Sequence, residues 1–213
     1  MSKSKDSFTE LETKLINLQH YLNYINYIND QTSKYFKSVV ESSKFFSVSY
    51  INARKLLIID LNKILNHKEN NNLVTYINSL LQNYSNLTWA HPIDFSELRI
   101  LKKELQEILK SDLFLNIKVF RDKFYVHDDP KKMEFKAKFK MDDIENLIKK
   151  LHHIYKQVNY RLKGENFSFE YNDYYNELQK LNTFNDLRDI IYESYINQKE
   201  SIPTYDLYMI LRK

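Results

Sequence analysis

One short stretch near the middle of the chain, residues 121–130, holds the side chains best suited to chemistry. It combines a guanidinium (Arg121), a carboxylate (Asp122) and an imidazole (His127). Histidine is the side chain whose unperturbed pKa lies near neutrality, and arginine binds phosphate through a planar fork of donors. The combination indicates phosphodiester chemistry. His127 would give or take a proton, Arg121 would hold the phosphate, and Asp122 would orient one of them or fix the histidine tautomer.

The spacing of Arg121 and His127 limits how they can meet. On an ideal helix six residues advance about 600°, so the two side chains do not share a face. Either the helix ends between them, which Pro130 permits because proline disfavours helix in the residue before it, or the partners come from two subunits. A simpler alternative is a helix-terminal arginine and histidine that only interact favourably with the helix dipole.

Lysine side chains surround this stretch and suggest a path for an RNA backbone. They are Lys123, Lys131, Lys132, Lys136 and Lys138. Residues 133–141 alternate strictly between apolar and polar types, which predicts a short extended strap after the Arg/His motif. The alternative interpretation of the later lysines is therefore a solvated edge of that strap.

The stretch also resembles the Arg…His motif of the HEPN superfamily of helical ribonucleases. Residues 120–129 look like the abortive-infection, AbiU-type branch of that family. Upstream, residues 50–65 are similar to its long second helix and 72–77 to its next short helix. Asp122 stands where asparagine is more usual, and Val126 where alanine is often seen.

This resemblance implies a metal-independent endoribonuclease without a cofactor, with Arg121 and His127 as its essential pair. It implies a homodimer in which two copies of the motif meet in a shared cleft. It further implies RNA as the substrate, a role as a toxin or antiphage effector, and an antitoxin or other defence-system protein as a possible partner. The alternative from a different class is a catalytically inert dimeric module that binds RNA, nucleotide or a partner protein.

Composition favours an all-α fold in a single domain. The 213 residues include one glycine and three prolines, far fewer than turns and sheets need. The chain has no cysteine, which excludes disulfides and thiolate metal sites, and no zinc or magnesium ligand pattern appears. The net charge of +4 is mild. With no apolar signal core or spanning segment, we expect a soluble cytoplasmic protein without membrane contact.

Hydrophobic periodicity predicts a HEPN-like bundle of long antiparallel helices over 1–213. The first helix follows a flexible N-terminus (1–6) and has Ser7 as its N-cap, and the second covers about 34–66. A shorter third helix starts at Leu73.

One long helix then runs from Asp94 through Arg121, with Leu115 and Val119 on its buried side. The next helix begins with a capping box at Asp142 and Glu145 and stops at Gly164. Residues 166–213 are expected to form a helical extension packed on the bundle.

The other histidines are weaker candidates for chemistry. His91 lies beside Trp89 in a predicted loop, where aromatic packing is the expected role. His152 and His153 are adjacent in a predicted helix, so they point to different sides and cannot chelate one metal together.

Overall fold

The computed structural model describes residues 2–29, 43–69, 71–126, 139–164 and 168–169, and all regular structure in them is helical. The predicted all-α class is therefore confirmed for this part of the chain. The α-helices are α1 (Ser2–Asn29), α2 (Lys44–Leu65), α3 (Leu73–Gln82), α4 (Phe95–Lys110), α5 (Asp112–Arg121) and α6 (Met141–Lys163). A single 3₁₀ turn, Tyr84–Asn86, follows α3, and a π turn, Asp122–Val126, follows α5.

Helix α1 lies antiparallel to both α2 and α6. Near its end, Asn29 accepts a hydrogen bond from Tyr50 at the start of α2, whereas Glu10 near its beginning pairs with Asn71 after α2. Towards α6 the order is likewise reversed, because Leu15 contacts His152 and Asn26 contacts Glu145. The order of these contacts makes α1 antiparallel to each of the two helices, which therefore run parallel to each other.

The predicted apolar stripe of α1 forms one side of the core. Its leucines and Ile25 are almost fully buried: Leu11, Leu15, Leu18, Leu22 and Ile25. The helix begins at Ser2, so the prediction of Ser7 as its N-cap is wrong, and the described part of the predicted flexible N-terminus is helical.

Helix α2 begins later than its hydrophobic pattern predicts. Ser43 has extended backbone angles, and its hydroxyl accepts a hydrogen bond from the amide of Phe46, so Ser43 is the N-cap. The predicted continuous helix over 34–66 is therefore wrong at this residue, and 34–42 lie outside the described residues. The second half of α2 is central, since Leu57, Ile58 and Leu61 are buried against neighbouring helices.

The long helix predicted from Asp94 through Arg121 is two helices. Asp94 caps α4 as predicted, but Ser111 adopts extended angles and starts α5 by accepting a hydrogen bond from the amide of Phe114 at 3.2 Å. Because of this break, α5 turns a different face to the core than a continuous helix would. Phe114 and Ile117 are buried, and the predicted core residues Leu115 and Val119 are exposed.

Helix α6 follows its predicted stripe, with Ile144, Leu147, Leu151, Tyr155 and Val158 all buried. It ends at Gly164, which has a φ of 76° and donates its amide hydrogen to Tyr160, as predicted for a left-handed helix stop. The N-terminal prediction is wrong: the N-cap is Lys140, not Asp142, and the carboxylate of Asp143, not that of Glu145, accepts the amide hydrogen of the N-cap at 2.8 Å. Asp142 lies within the first turn, and Glu145 pairs instead with Lys149.

Most of the predicted strap and of the C-terminal extension (166–213) lies outside the described residues. Phe139 and Lys140, at the end of the strap, are not helical. Phe169 is buried and its ring stacks on His152 of α6, with ring centroids 3.8 Å apart.

Candidate active site

Arg121 is the last residue of α5, and Asp122 immediately follows it. The Nε of Arg121 donates a hydrogen bond to Oδ1 of Asp122 at 2.8 Å, and one terminal nitrogen donates to the same oxygen. The side chain of Arg121 is 18% exposed and that of Asp122 37% exposed, so the pair lies at the protein surface. The carboxylate of Asp122 therefore orients the guanidinium of Arg121. Orienting one of the two catalytic candidates is one of the roles that the sequence suggested for Asp122.

A π turn carries the chain on from this pair. The amide of Asp122 is shared between the carbonyls of Lys118 and Val119, where the regular helical ladder ends. A single turn of π-helix is uncommon in proteins, and where one occurs it often lies at a functional site. Lys118 and Arg121 place two cations in the last turn of α5, an arrangement that also suits the helix dipole. The α-helix therefore ends at Arg121, and the chain continues as π-helix as far as Val126.

An aromatic cluster anchors the π turn to the body of the protein. The ring of Phe120 stacks on Phe124 at 4.5 Å and meets Tyr125 and Phe139 edge-on at 5.5 and 5.6 Å. Edge-to-face and offset aromatic pairs contribute about 0.5–1.5 kcal/mol each beyond their buried area. The backbone on both sides of Arg121 is thus held by packing.

The predicted site residues divide into two groups. Arg121 and Asp122 are in contact, and Lys123, which is partly buried, follows them in the same π turn. The others lie outside the described residues: His127, Lys131, Lys132, Lys136 and Lys138. Their predicted roles stay predictions.

Sequence reasoning missed a second arginine near the motif. Arg54 of α2 and Tyr125 of the π turn line the same small cavity, together with Phe120 and Phe139. Burial raises the pKa of Tyr125, and the positive charge of Arg54 opposes that rise. No sequence signal connects Arg54 to the π turn, because α2 and the π turn come together only when α5 packs on α2.

Among the other histidines, His91 and His152 are used for packing. His91 stacks on Tyr160 with ring centroids 4.5 Å apart, which confirms the expected aromatic role, although with a different partner from Trp89. His152 is buried and its Nε2 lies 3.0 Å from the carbonyl oxygen of Leu15, whereas His153 is exposed. The prediction that the adjacent pair faces different sides is confirmed.

The described residues contain no group of three or more His, Cys, Asp or Glu side chains arranged to hold a metal ion. None of the described helices is both long and apolar enough to cross a membrane. A larger open groove of about 800 Å³ lies between α4 and α6, but residues 121–126 do not line it.

No family model, curated protein or solved structure significantly matches this chain.

Proposed function

We propose that this chain is a metal-independent endoribonuclease of the HEPN kind that cleaves RNA by transphosphorylation. The observation that carries the proposal is the Arg121 guanidinium, oriented by Asp122 where an α-helix gives way to a π turn. A guanidinium has five N–H donors, and Asp122 engages two of them, so three could bond a phosphate as far as the described residues show.

The chemistry needs an acid, a base and a cation. A base removes the 2′-hydroxyl proton, the 2′-oxygen attacks phosphorus, and the bond to the 5′-oxygen breaks as that oxygen takes a proton. Arg121 would stabilise the charge on the phosphate oxygens, and His127 would carry one of the protons. The products are a 2′,3′-cyclic phosphate, or the 3′-phosphate formed from it, and a free 5′-hydroxyl.

A homodimer is part of the proposal. In the HEPN resemblance two copies of the motif meet, so the second proton carrier would be the His127 of the other copy. The same resemblance supports a role as a toxin or abortive-infection antiphage effector, with an antitoxin or other defence-system protein as partner. Sedimentation at micromolar concentration should show a dimer, and an active strict monomer would contradict this part.

The second candidate is a module that binds RNA, nucleotide or a partner protein without cutting. One observation favours it: the Asp122 carboxylate offsets the charge of Arg121, which weakens the attraction for a phosphate. The HEPN motif usually has asparagine at the position of Asp122, so this ion pair is one of the two places where the chain departs from that motif.

Incubation of the purified protein with RNA in EDTA tests both candidates. We expect cleavage in EDTA with 5′-hydroxyl ends, and loss of at least about 100-fold in rate for His127→Ala or Arg121→Ala. Matched controls are His153→Ala and Arg99→Ala, which remove exposed side chains of the same types on α6 and α4. Products with 5′-phosphates, or activity that EDTA abolishes, would overturn the proposal. Binding without cutting by wild type and by His127→Ala would favour the module.

A further inference from the structure

A small cavity lies directly behind the π turn. It has a volume of about 110 Å³ and is bounded by α2, the π turn and the start of α6. Buried aliphatic side chains form its inner wall: Leu57, Ile58 and Ile144. Partly buried or exposed side chains form its mouth: Arg54, Phe120, Tyr125, Phe139 and Met141.

The lining indicates a flat, largely apolar ligand with a hydrogen-bond acceptor. Three of the mouth residues are aromatic, and among the described lining residues the guanidinium of Arg54 is the one fixed charge. Most of the described lining is apolar, so it would strip water from a charged phosphate and return few hydrogen bonds. A nucleobase combines a π face with carbonyl oxygens, and such faces stack favourably on the aromatic rings of proteins.

The volume restricts the size of the ring. An engineered cavity of about 150 Å³ lined by aliphatic and aromatic side chains accommodates benzene. The present cavity of about 110 Å³ can enclose most of one six-membered ring but not a fused bicyclic one. A pyrimidine therefore fits where a purine does not.

The cavity and the candidate phosphate site share one rigid piece of backbone. Phe120 precedes Arg121, and Tyr125 follows it within the π turn, and both rings line the cavity. The centroids of the two rings lie 5.5 Å apart, so a ligand in the cavity would lie beside the helix end that carries the guanidinium. Arg54 is in turn held over the ring of Tyr50, 5.7 Å from its centroid.

We propose that this cavity binds one pyrimidine base of single-stranded RNA next to the phosphate held by Arg121, with Arg54 donating hydrogen bonds to a base carbonyl. That a phosphate bound by Arg121 lies beside the base rests on the proposed function. Binding of the base itself does not require that the RNA be cut. The site would make the protein prefer uridine or cytidine over adenosine at one position of its RNA.

The test measures binding of labelled oligonucleotides by fluorescence anisotropy in EDTA, with the His127→Ala protein so that no RNA is cut. We expect penta-uridine and penta-cytidine to bind about ten-fold tighter than penta-adenosine. Arg54→Leu should remove this preference, so that the affinities for penta-uridine and penta-cytidine fall to about that of the same variant for penta-adenosine. Arg99→Leu is the matched control, because Arg99 also lies over an aromatic ring, 4.6 Å from the centroid of Phe95, and does not line the cavity.

Tyr125→Leu is the second variant, because it removes the aromatic ring and keeps an apolar side chain in the lining. Thermal melts check that each variant folds. Competition with uridine monophosphate distinguishes a site for free nucleotide, which would compete as well as the oligomer, from the RNA site proposed here. Equal affinities for all three oligomers, unaffected by Arg54→Leu, would overturn the base site even if wild type cuts RNA. Arg54-dependent pyrimidine binding by a wild type that never cuts would support the base site and refute the ribonuclease.

Discussion

The stability of the protein should depend on the protonation of His152. This imidazole is 7% exposed, donates from Nε2 to the carbonyl oxygen of Leu15 at 3.0 Å and stacks on Phe169. Burial lowers its pKa from 6.5 to about 4, and the charge of Lys156 acts in the same direction, while the hydrogen bond to Leu15 opposes the shift. The folded protein therefore resists charging of this ring.

The sign and size of the effect follow from linkage. Between the unfolded pKa of 6.5 and the folded value of about 4, the unfolded chain binds more protons, so stability falls as the pH falls through this window. The stabilisation is complete above pH 6.5 and is lost by pH 4. One pKa unit corresponds to about 1.4 kcal/mol, so His152 alone should cost about 3 kcal/mol across the window.

Urea denaturation of wild type and His152→Gln at pH 7.5 and 4.5 measures this cost. Glutamine keeps a donor for the Leu15 carbonyl but does not titrate. Wild type should lose roughly 2.5 kcal/mol more than the variant between the two pH values. His153→Gln, which changes the exposed neighbour, should behave like wild type. Burial also lowers the pKa of His20, so the wild type loses additional stability at low pH. The quantity to compare is therefore the difference in lost unfolding free energy between wild type and variant. An equal pH dependence for wild type and His152→Gln would refute the reasoning.

Two further predictions concern the helix end that carries Arg121. Ser111→Ala should lower the free energy of unfolding, measured in urea, by about 1–2 kcal/mol, because the hydroxyl caps α5 and also donates to the last turn of α4. The control Ser79→Ala, at an exposed position of α3, should change the free energy of unfolding by less than about 0.5 kcal/mol. Asp122→Asn should tighten binding of short RNA about two- to five-fold at low salt, because a surface ion pair of this exposure is worth up to about 1 kcal/mol and would no longer offset the charge of Arg121. Weaker binding by Asp122→Asn would contradict that view of the ion pair.

The parts of the fold that depend on local periodicity were predictable. The stripes of α1 and α6 bury the expected residues, because each helix presents one continuous apolar face to the same core. Gly164 ends α6 because its φ of 76° suits a residue without a side chain, and the loop residue Ala90 packs closely above it. Such signals come from residues a few positions apart, so one sequence is enough to detect them.

The errors arose where two local signals compete. Ser111 interrupts an apolar pattern that continues beyond it, and its capping hydrogen bond to Phe114 shifts the phase enough to expose Leu115 and Val119. At the start of α6, the pairs Asp142/Glu145 and Lys140/Asp143 both have the three-residue spacing of a capping box, and the helix uses the second pair. The spacing of residues does not determine the backbone angles, and these angles decide at which residue each of the two helices begins.

The candidate site was predictable only where its residues are adjacent in sequence. Arg121 and Asp122 form their ion pair as neighbours, whereas the cavity combines α2, the π turn and the start of α6. The break at Ser111 connects the two features. It frees α5 to pack on α2 with a new buried face, and this packing brings the π turn beside Arg54. Any chemistry at Arg121 therefore depends on a helix break that carries no catalytic group, and the base preference proposed for this cavity depends on the same break.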